Sequence, residues 1–452
     1  MPKYSIDEQT LTDISNAIRN KSGSDKQLKV KDFASSIDDI TISINSYVIK
    51  KDVNFYDYDG TLLYSYTVEE AQALLKLPDL PSHEGLICQG WNYDLETIKS
   101  YNRSVDIGAM YITDDGKTRL YIRIAAEGRM TVPLYFSQTK ANGVTIDWGD
   151  RSATQTLSGT GDLNTTHTYA SIGDYVITLE VLSGCTLELG YNTASYGVMG
   201  ATSSQGRVYC NMLQKVEIGT GVKTICNYAF KNCHSLASVT IPNSVTNIYM
   251  YAFTNCYSLV SINIPDSVTA LSSNAFEYCP SLVSISLPDS VTKIESDAFY
   301  DCYSLASVTI PDSVTKIGSN AFYDCNSLAS VTMSDSVTSI GTYAFRNCES
   351  LASIRISNSV TSISNNTFLN CYSIASVTIP SSVTSIGSSA FQACYGMAVY
   401  DFTSHTSIPT LSNKNAFSSI PSDCVIKVPA ALYDDWIAAT NWSTYASQIV
   451  AV

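Results

Sequence analysis

No run of eighteen apolar residues occurs anywhere in the 452 residues, so no segment reads as a membrane-spanning helix and no membrane insertion is expected. The opening Met1-Pro2-Lys3-Tyr4-Ser5-Ile6-Asp7-Glu8 lacks the apolar core of a secretory signal, which predicts a chain made and left in the cytoplasm. Positive charge is scarce: 27 Lys+Arg stand against 41 Asp+Glu, for a net charge of −14. Such a surface repels phosphates and anionic headgroups, so no nucleic-acid partner is expected. The four histidines (His83, His167, His234, His405) stand at no metal-ligand spacing, and neither a nucleophile elbow nor a phosphate-binding glycine loop is present. No catalytic residue, cofactor or metal is therefore assigned, and the chain is read as a non-enzyme.

Cysteine is not lacking, but eight of the 13 fall at one phase. Cys233, Cys256, Cys279, Cys302, Cys325, Cys348, Cys371 and Cys394 recur every 23 residues, as do Phe230, Phe253, Phe276, Phe299, Phe322, Phe345, Phe368 and Phe391. A fixed period of this length means units that cannot bury an apolar face alone and must stack. The column of cysteines then reads as buried thiols, since in-register neighbours pointing the same way have poor geometry for a disulfide. Within one unit the alternation Val308-Thr309-Ile310 is a short strand with Val and Ile inward, ended by Pro311. Eight or nine such coils at the inter-strand spacing make a rod on the order of 40 Å long.

The pattern Ser-Leu-x-Ser-Val-x-Ile-Pro-x-Ser-Val-Thr-x-Ile-x-x-x-Ala-Phe-x-x-Cys, from about Met212 to Phe417, resembles the BspA-like (Treponema-type) leucine-rich repeat. Ser334 and Ser357 replace its Pro, Thr367 replaces its Ala, and the step from Phe391 to Phe417 is 26. Members of that family are mostly adhesive surface proteins, which implies binding rather than chemistry. A strand at Cys424–Pro429 and a helix with Leu432, Trp436 and Ile437 inward, finished by Trp442, Tyr445 and Ile449, should cap the far end.

The expected fold is mainly β, in five parts. Residues 1–44 read as a helical hairpin: Ser5 and Glu8 form a capping box before Leu11, Ile14 and Ile18, and Val30, Phe33, Ile37 and Ile40 mark a second helix. Too small to fold alone, it should dock on its own copies or a larger assembly. Residues 45–127 read as a small mixed domain with β-hairpins, residues 128–211 as a β-sandwich and its connection, 212–423 as the solenoid and 424–452 as the cap. The stretch Leu11–Arg19 with Lys31–Ile37 resembles the first forty residues of many tail and adhesion proteins from phages and prophages of gut Firmicutes. The stretch Val144–Asp150, His167-Thr168-Tyr169 and Gly173–Leu179 resembles a PKD-type β-sandwich. That resemblance implies core roles for Trp148 and Tyr175, a turn role for Asp150, and a spacer function.

One segment resembles an active site. Phe55-Tyr56-Asp57-Tyr58-Asp59-Gly60-Thr61-Leu62-Leu63 is similar to the haloacid-dehalogenase motif, in which Asp57 would be nucleophile and Asp59 general acid/base. The same residues read as a hairpin joining Asn54–Tyr58 to Thr61–Tyr66, and this reading is preferred because the segment is too short for a doubly wound domain. Asp114-Asp115-Gly116 is expected to join Met110-Tyr111-Ile112 to Leu120-Tyr121-Ile122 in another hairpin.

The informative surface is aromatic, with 30 tyrosines in the chain. Tyr257, Tyr303, Tyr372 and Tyr395 share the phase just after Cys, and Tyr300 and Tyr323 the phase just after Phe. In-register stacking turns a phase into a stripe, and Tyr suits protein epitopes and sugar rings; alternatively these rings brace neighbouring coils. The leading functional expectation is a phage tail-associated receptor-binding adhesin in the virion. Residues 1–44 would contact other tail proteins or further copies, and the solenoid a host-surface protein or glycan. The alternatives are a bacterial cell-surface adhesin and a haloacid-dehalogenase-like phosphatase.

Overall fold

The computed structural model describes residues 52–57, 61–82, 86–91, 95–100, 105–113, 115–191, 196–201 and 207–452. The helical hairpin expected at 1–44 lies outside them. The first described unit is a sheet in the order β2-β1-β4-β3, from β1 (Asp52–Tyr56), β2 (Leu62–Thr67), β3 (Leu86–Trp91) and β4 (Val105–Thr113). Strands β1 and β2 are antiparallel, as the hairpin reading requires, whereas β1 and β4 are parallel. A parallel pair needs a long crossover, and helices α1 (Val68–Gln72) and α2 (Leu95–Ser100) lie within it. Thr67 starts α1 through a full capping box with Glu70, which satisfies donors that so short a helix cannot pair internally. Its two buried residues, Val68 and Ala71, join Val53, Phe55, Trp91, Ile98 and Ile107 in a small core.

The hairpin expected at Asp114-Asp115-Gly116 does not form, because β4 pairs with β1 and β3 while β5 (Thr118–Ile124) pairs elsewhere. The local turn signal is intact: Asp115 accepts from the Lys117 N–H at 3.1 Å and Gly116 has φ +69°. Each flanking strand nevertheless belongs to a different sheet.

Residues 118–191 form two facing sheets over one core, from β5, β6 (Thr131–Gln138), β7 (Val144–Asp147), β8 (Gln155–Thr156), β9 (Gly161–Thr168), β10 (Gly173–Val181) and β11 (Leu187–Leu189). Alternation places Leu120, Ile122 and Ile124 of β5 inward, opposite Val132, Leu134 and Phe136 of β6. Trp148 is buried, and the Tyr169 hydroxyl donates to its carbonyl at 2.8 Å. Asp150 is a turn residue, accepting from the Ser152 N–H at 3.0 Å, and its other oxygen lies 2.7 Å from His167 Nε2. Tyr175, expected in the core, is only half-buried; its hydroxyl reaches the Ser171 carbonyl at 2.9 Å. Strand β5 lies on the N-terminal side of the boundary expected at residue 128, yet its partners β10 and β14 (Leu213–Glu217) lie beyond it. A short hairpin, β12 (Tyr196–Gly197) with β13 (Gly200–Ala201), precedes β14.

The solenoid has two strand ladders. Strand β14 pairs in parallel with β16 (Ser238–Thr240), and β15 (Val222–Ile225) with β17 (Asn247–Ile248). Further along, Ser307↔Ser330, Val308↔Val331 and Lys316↔Ser339 keep the 23-residue register. Val308 and Ile310 are buried and Thr309 faces out, as the alternation requires. The corner after each strand closes when a Val N–H donates to the Pro carbonyl, 3.0 Å for Val314 and Pro311. Where Ser334 and Ser357 replace Pro, their hydroxyls accept from the N–H two residues on, at 3.3 and 3.1 Å. This side-chain turn supplies the bend that the ring would otherwise preset.

Both ends are closed. Strand β14 pairs antiparallel with β5, and β11 pairs antiparallel with β6 while running parallel to β15. Each ladder thus continues into one of the preceding sheets, and among the described residues no N-terminal edge of the ladders is left open. At the far end Val425–Val428 pairs with Val399–Asp401 and with Ile449–Ala451. Trp436, Trp442, Tyr445 and Ile449 are buried there, with Leu432 and Ile437 packed against them. The irregular last coil still seats Phe417 on Phe391, with centroids 5.5 Å apart.

Candidate interaction surface

The surface that the tyrosines decorate is the third corner of each coil, the turn Ala-Phe-x-x-Cys. The Phe rings stack along the core with centroids 5.1–5.7 Å apart. On either side the backbone is left-handed, for example at Asn320 (φ 54°) and Asp324 (φ 56°) around Phe322. Asn and Asp tolerate this conformation best among non-glycine residues, which explains why they recur at those phases. Tyr228, Tyr251, Tyr278 and Tyr343 hold the same strained positions, with φ 54–63°. The corner amides donate to the next coil, as from Phe322 N–H to the Ala344 carbonyl at 2.8 Å. These bonds tie the backbone of each corner to that of the next coil.

The phase just after Cys does not make an unbroken stripe, because Pro280, Asn326 and Glu349 interrupt it. Tyr257 lies flat against His234, centroids 4.2 Å apart, with 43% of its surface exposed. Tyr372 stacks beneath Tyr395 at 5.3 Å, leaving Tyr395 60% exposed. Tyr303, 42% exposed, stands between these two ends. Tyr300 and Tyr323, at the phase just after Phe, stack at 4.6 Å and are half-buried. Sequence reasoning missed the ring neighbours at left-handed positions: Tyr278 beside Tyr300 at 5.6 Å, and Tyr343 beside Tyr323 at 6.4 Å. Two cations close these clusters. Lys231 lies over Tyr228 and Tyr251 (5.1 and 4.8 Å), and Arg346 over Tyr323 and Tyr343 (5.1 and 5.4 Å). A second missed column is Asp266, Asp289, Asp312 and Asp335, all exposed; Arg355 holds Asp335 at 2.7 Å and keeps its carboxyl below the usual range.

The repeat cysteines are free thiols buried in the core, and burial pushes Cys279 and Cys394 up to about 12. Cys325 donates to the Phe299 carbonyl at 3.2 Å. Asp57 is buried in the loop between β1 and β2, where its N–H donates to Thr61 at 2.8 Å, and Asp59 lies outside the described residues. Among the described residues no three His, Cys, Asp or Glu side chains are placed to hold a metal ion, and no helix is long and apolar enough to cross a membrane.

Comparison with known families matches residues 208–329 and 292–423 to the BspA type leucine-rich repeat region, in six copies. Proteins of this solenoid family are typically non-enzymatic binding proteins. The chain is 29% identical to the leucine-rich repeat protein of Treponema pallidum, over 41% of this chain and 83% of that one, with a TM-score of 0.34. A leucine-rich cell surface protein of Faecalibacterium prausnitzii is 27% identical, covering 54% and 85%, with a TM-score of 0.28. The pneumococcal vaccine antigen PcpA is 18% identical, covering 53% and 68%, with a TM-score of 0.38. No curated protein matches. Neither the PKD-type resemblance nor the tail-protein resemblance finds support in these comparisons.

Proposed function

We propose that this chain, a BspA-type leucine-rich-repeat protein through residues 208–423, is a non-enzymatic adhesin of a bacterial cell surface. Its solenoid corner binds a host-surface protein or glycan. The observation that carries the reading is a set of outward tyrosines on one corner of the solenoid: Tyr257, Tyr278, Tyr303 and Tyr395 are large, exposed rings. Such rings lose little entropy on binding, and they offer both a flat face and a hydroxyl to sugars or peptides. The virion-tail reading depended on residues 1–44, outside the described residues, and is not carried forward.

Affinity spread along a row should fall in steps. Tyr257→Ala, Tyr303→Ala, Tyr372→Ala and Tyr395→Ala should each weaken attachment by about 1 kcal/mol or more. Thermal midpoints should barely move at the exposed Tyr257, Tyr303 and Tyr395. Attachment of chain-coated beads to host cells, and to immobilised glycans, measures the first quantity, and calorimetry on the same proteins the second. Undiminished attachment by the quadruple variant removes the tyrosine row. Immunolabelling of intact producing cells tests the location; signal confined to purified phage particles would restore the tail reading.

A further inference from the structure

The phase two residues after each Phe, before Cys, carries a ladder of side-chain hydrogen bonds inside the corner. Asn255 Nδ2 donates to Asn232 Oδ1 at 2.7 Å, and Asn370 Nδ2 donates to Asn347 Oδ1 at 2.8 Å. Asn347 Nδ2 in turn donates to Asp324 Oδ1. In these three rungs the later coil supplies the donor and the earlier coil the oxygen. The rung from residue 324 to residue 301 breaks this rule, because Asp occupies both places and a carboxylate has no hydrogen to give.

The backbones of the two residues are tied in place. Asp301 N–H is tied to the Tyr323 carbonyl and Asp324 N–H to the Arg346 carbonyl, each at 2.9 Å, and both residues are left-handed (φ 60° and 56°). Asp301 is 4% exposed, and its Oδ1 is buried without a donor. Tyr278, from the preceding coil, and Tyr303, from its own, stand near the Asp301 carboxylate and oppose the upward shift of its pKa only weakly. Tyr300 and Tyr323 flank it, and Asn347 faces Asp324. Arg346, from the coil beyond, lies over the rings of Tyr323 and Tyr343. Two like charges held this close cannot both remain ionised at little cost.

We propose that Asp301 and Asp324 share one proton, which serves as the missing donor and makes this joint between coils a pH-sensitive element of the solenoid. Burial, and then the neighbouring Asp324, push the Asp301 carboxyl up to about 6. A group raised in the folded state adds stability that is complete below its unfolded value, near 3.9, and is lost as pH rises through about 6. The joint is therefore tight in mild acid and loosened above neutrality, whatever the tyrosine row binds.

Asp324→Asn supplies the missing amide toward Asp301 while its own oxygen still accepts from Asn347. In the full chain with EDTA, this variant should melt about 2–4 °C above the parent at pH 8, and the gap should close at pH 5. Asp301→Asn, which removes the same repulsion from the other side, should show the same pH-dependent gain. An infrared band of a protonated carboxyl should be present in the parent at pH 5 and reduced in both variants. A gap equal at both pH values, or lower midpoints for both variants at pH 8, overturns the proposal. So does a parent midpoint at pH 8 that added calcium raises while Asp324→Asn does not respond, since a cation would then hold the pair.

Discussion

His405 shows what a single buried ionisable residue contributes. It sits in the irregular last coil against the C-terminal cap, 4% exposed, with Phe402 at 5.2 Å and Trp436 at 6.1 Å between ring centroids. Burial lowers its pKa from 6.5, against the weaker opposing pull of the Val383 and Phe402 carbonyls and Asp401. A His held neutral when folded but protonated when unfolded adds stability above about 6.5, lost as pH falls below that value. Between pH 7.5 and 5 the cap midpoint, followed by tryptophan fluorescence, should fall in the parent and fall less in His405→Phe; parallel curves would refute this. The cysteine column carries the opposite expectation. Cys302 and Cys325 should resist alkylation at pH 8 until the chain unfolds, which intact-mass measurement decides. That column was legible because a period of 23 leaves one phase buried in every coil. The left-handed sites were not read, although Asn and Asp mark them, because Tyr228, Tyr251, Tyr278 and Tyr343 hold the same positions against their preference.

At the scale of elements, the coil is a closed turn of three corners whose interior is a column of aromatic rings. Phe299→Ala opens a cavity between Phe276 and Phe322, its stacking partners at 5.7 and 5.3 Å. Truncation of so large a buried side chain costs about 3–5 kcal/mol. A chemical-denaturation midpoint should register the loss, and a change below about 1 kcal/mol would mean that neighbouring coils collapse into the gap. Strand identity in this part followed from alternation, since each short strand meets a near-copy of itself one period on. The hairpin expected around Asp115-Gly116 failed for the converse reason. A turn dipeptide reports only local backbone preference, while β5 gains more from its seven-residue pairing with β10 than from its chain neighbour β4.

The whole molecule from residue 118 onward has one continuous core, running from Leu120 through the repeats to Ile449. The seam between sandwich and solenoid is tight at Gly219, where a Cβ would meet the Gly116 carbonyl oxygen at 2.2 Å, while its N–H donates to the Thr118 hydroxyl at 2.9 Å. Tyr121 adds a bond to Glu217 at 2.9 Å. Gly219→Val should therefore lower the thermal midpoint although it lies far from the tyrosine row, and bead attachment at 20 °C should persist. A chain begun at residue 207 should self-associate, because removing β5 and β11 strips both ladders of their covering strands. Sedimentation of the two lengths compares them directly, and a monodisperse short form would show that the sandwich is not needed as a cap.

Sequence alone determined the solenoid, its inward columns, the free thiols and the C-terminal cap. A repeat's partners are its neighbours in the chain, so period and composition together specify the contacts. Only the tertiary structure decided that the sandwich sheets run on into the solenoid ladders, that β4 and β5 part company, and that the tyrosine phases break into short stacks. Those outcomes depend on pairings between segments distant in sequence, such as β5 with β14 and β6 with β11. They also depend on backbone geometry at each corner, which no single residue's preference dictates.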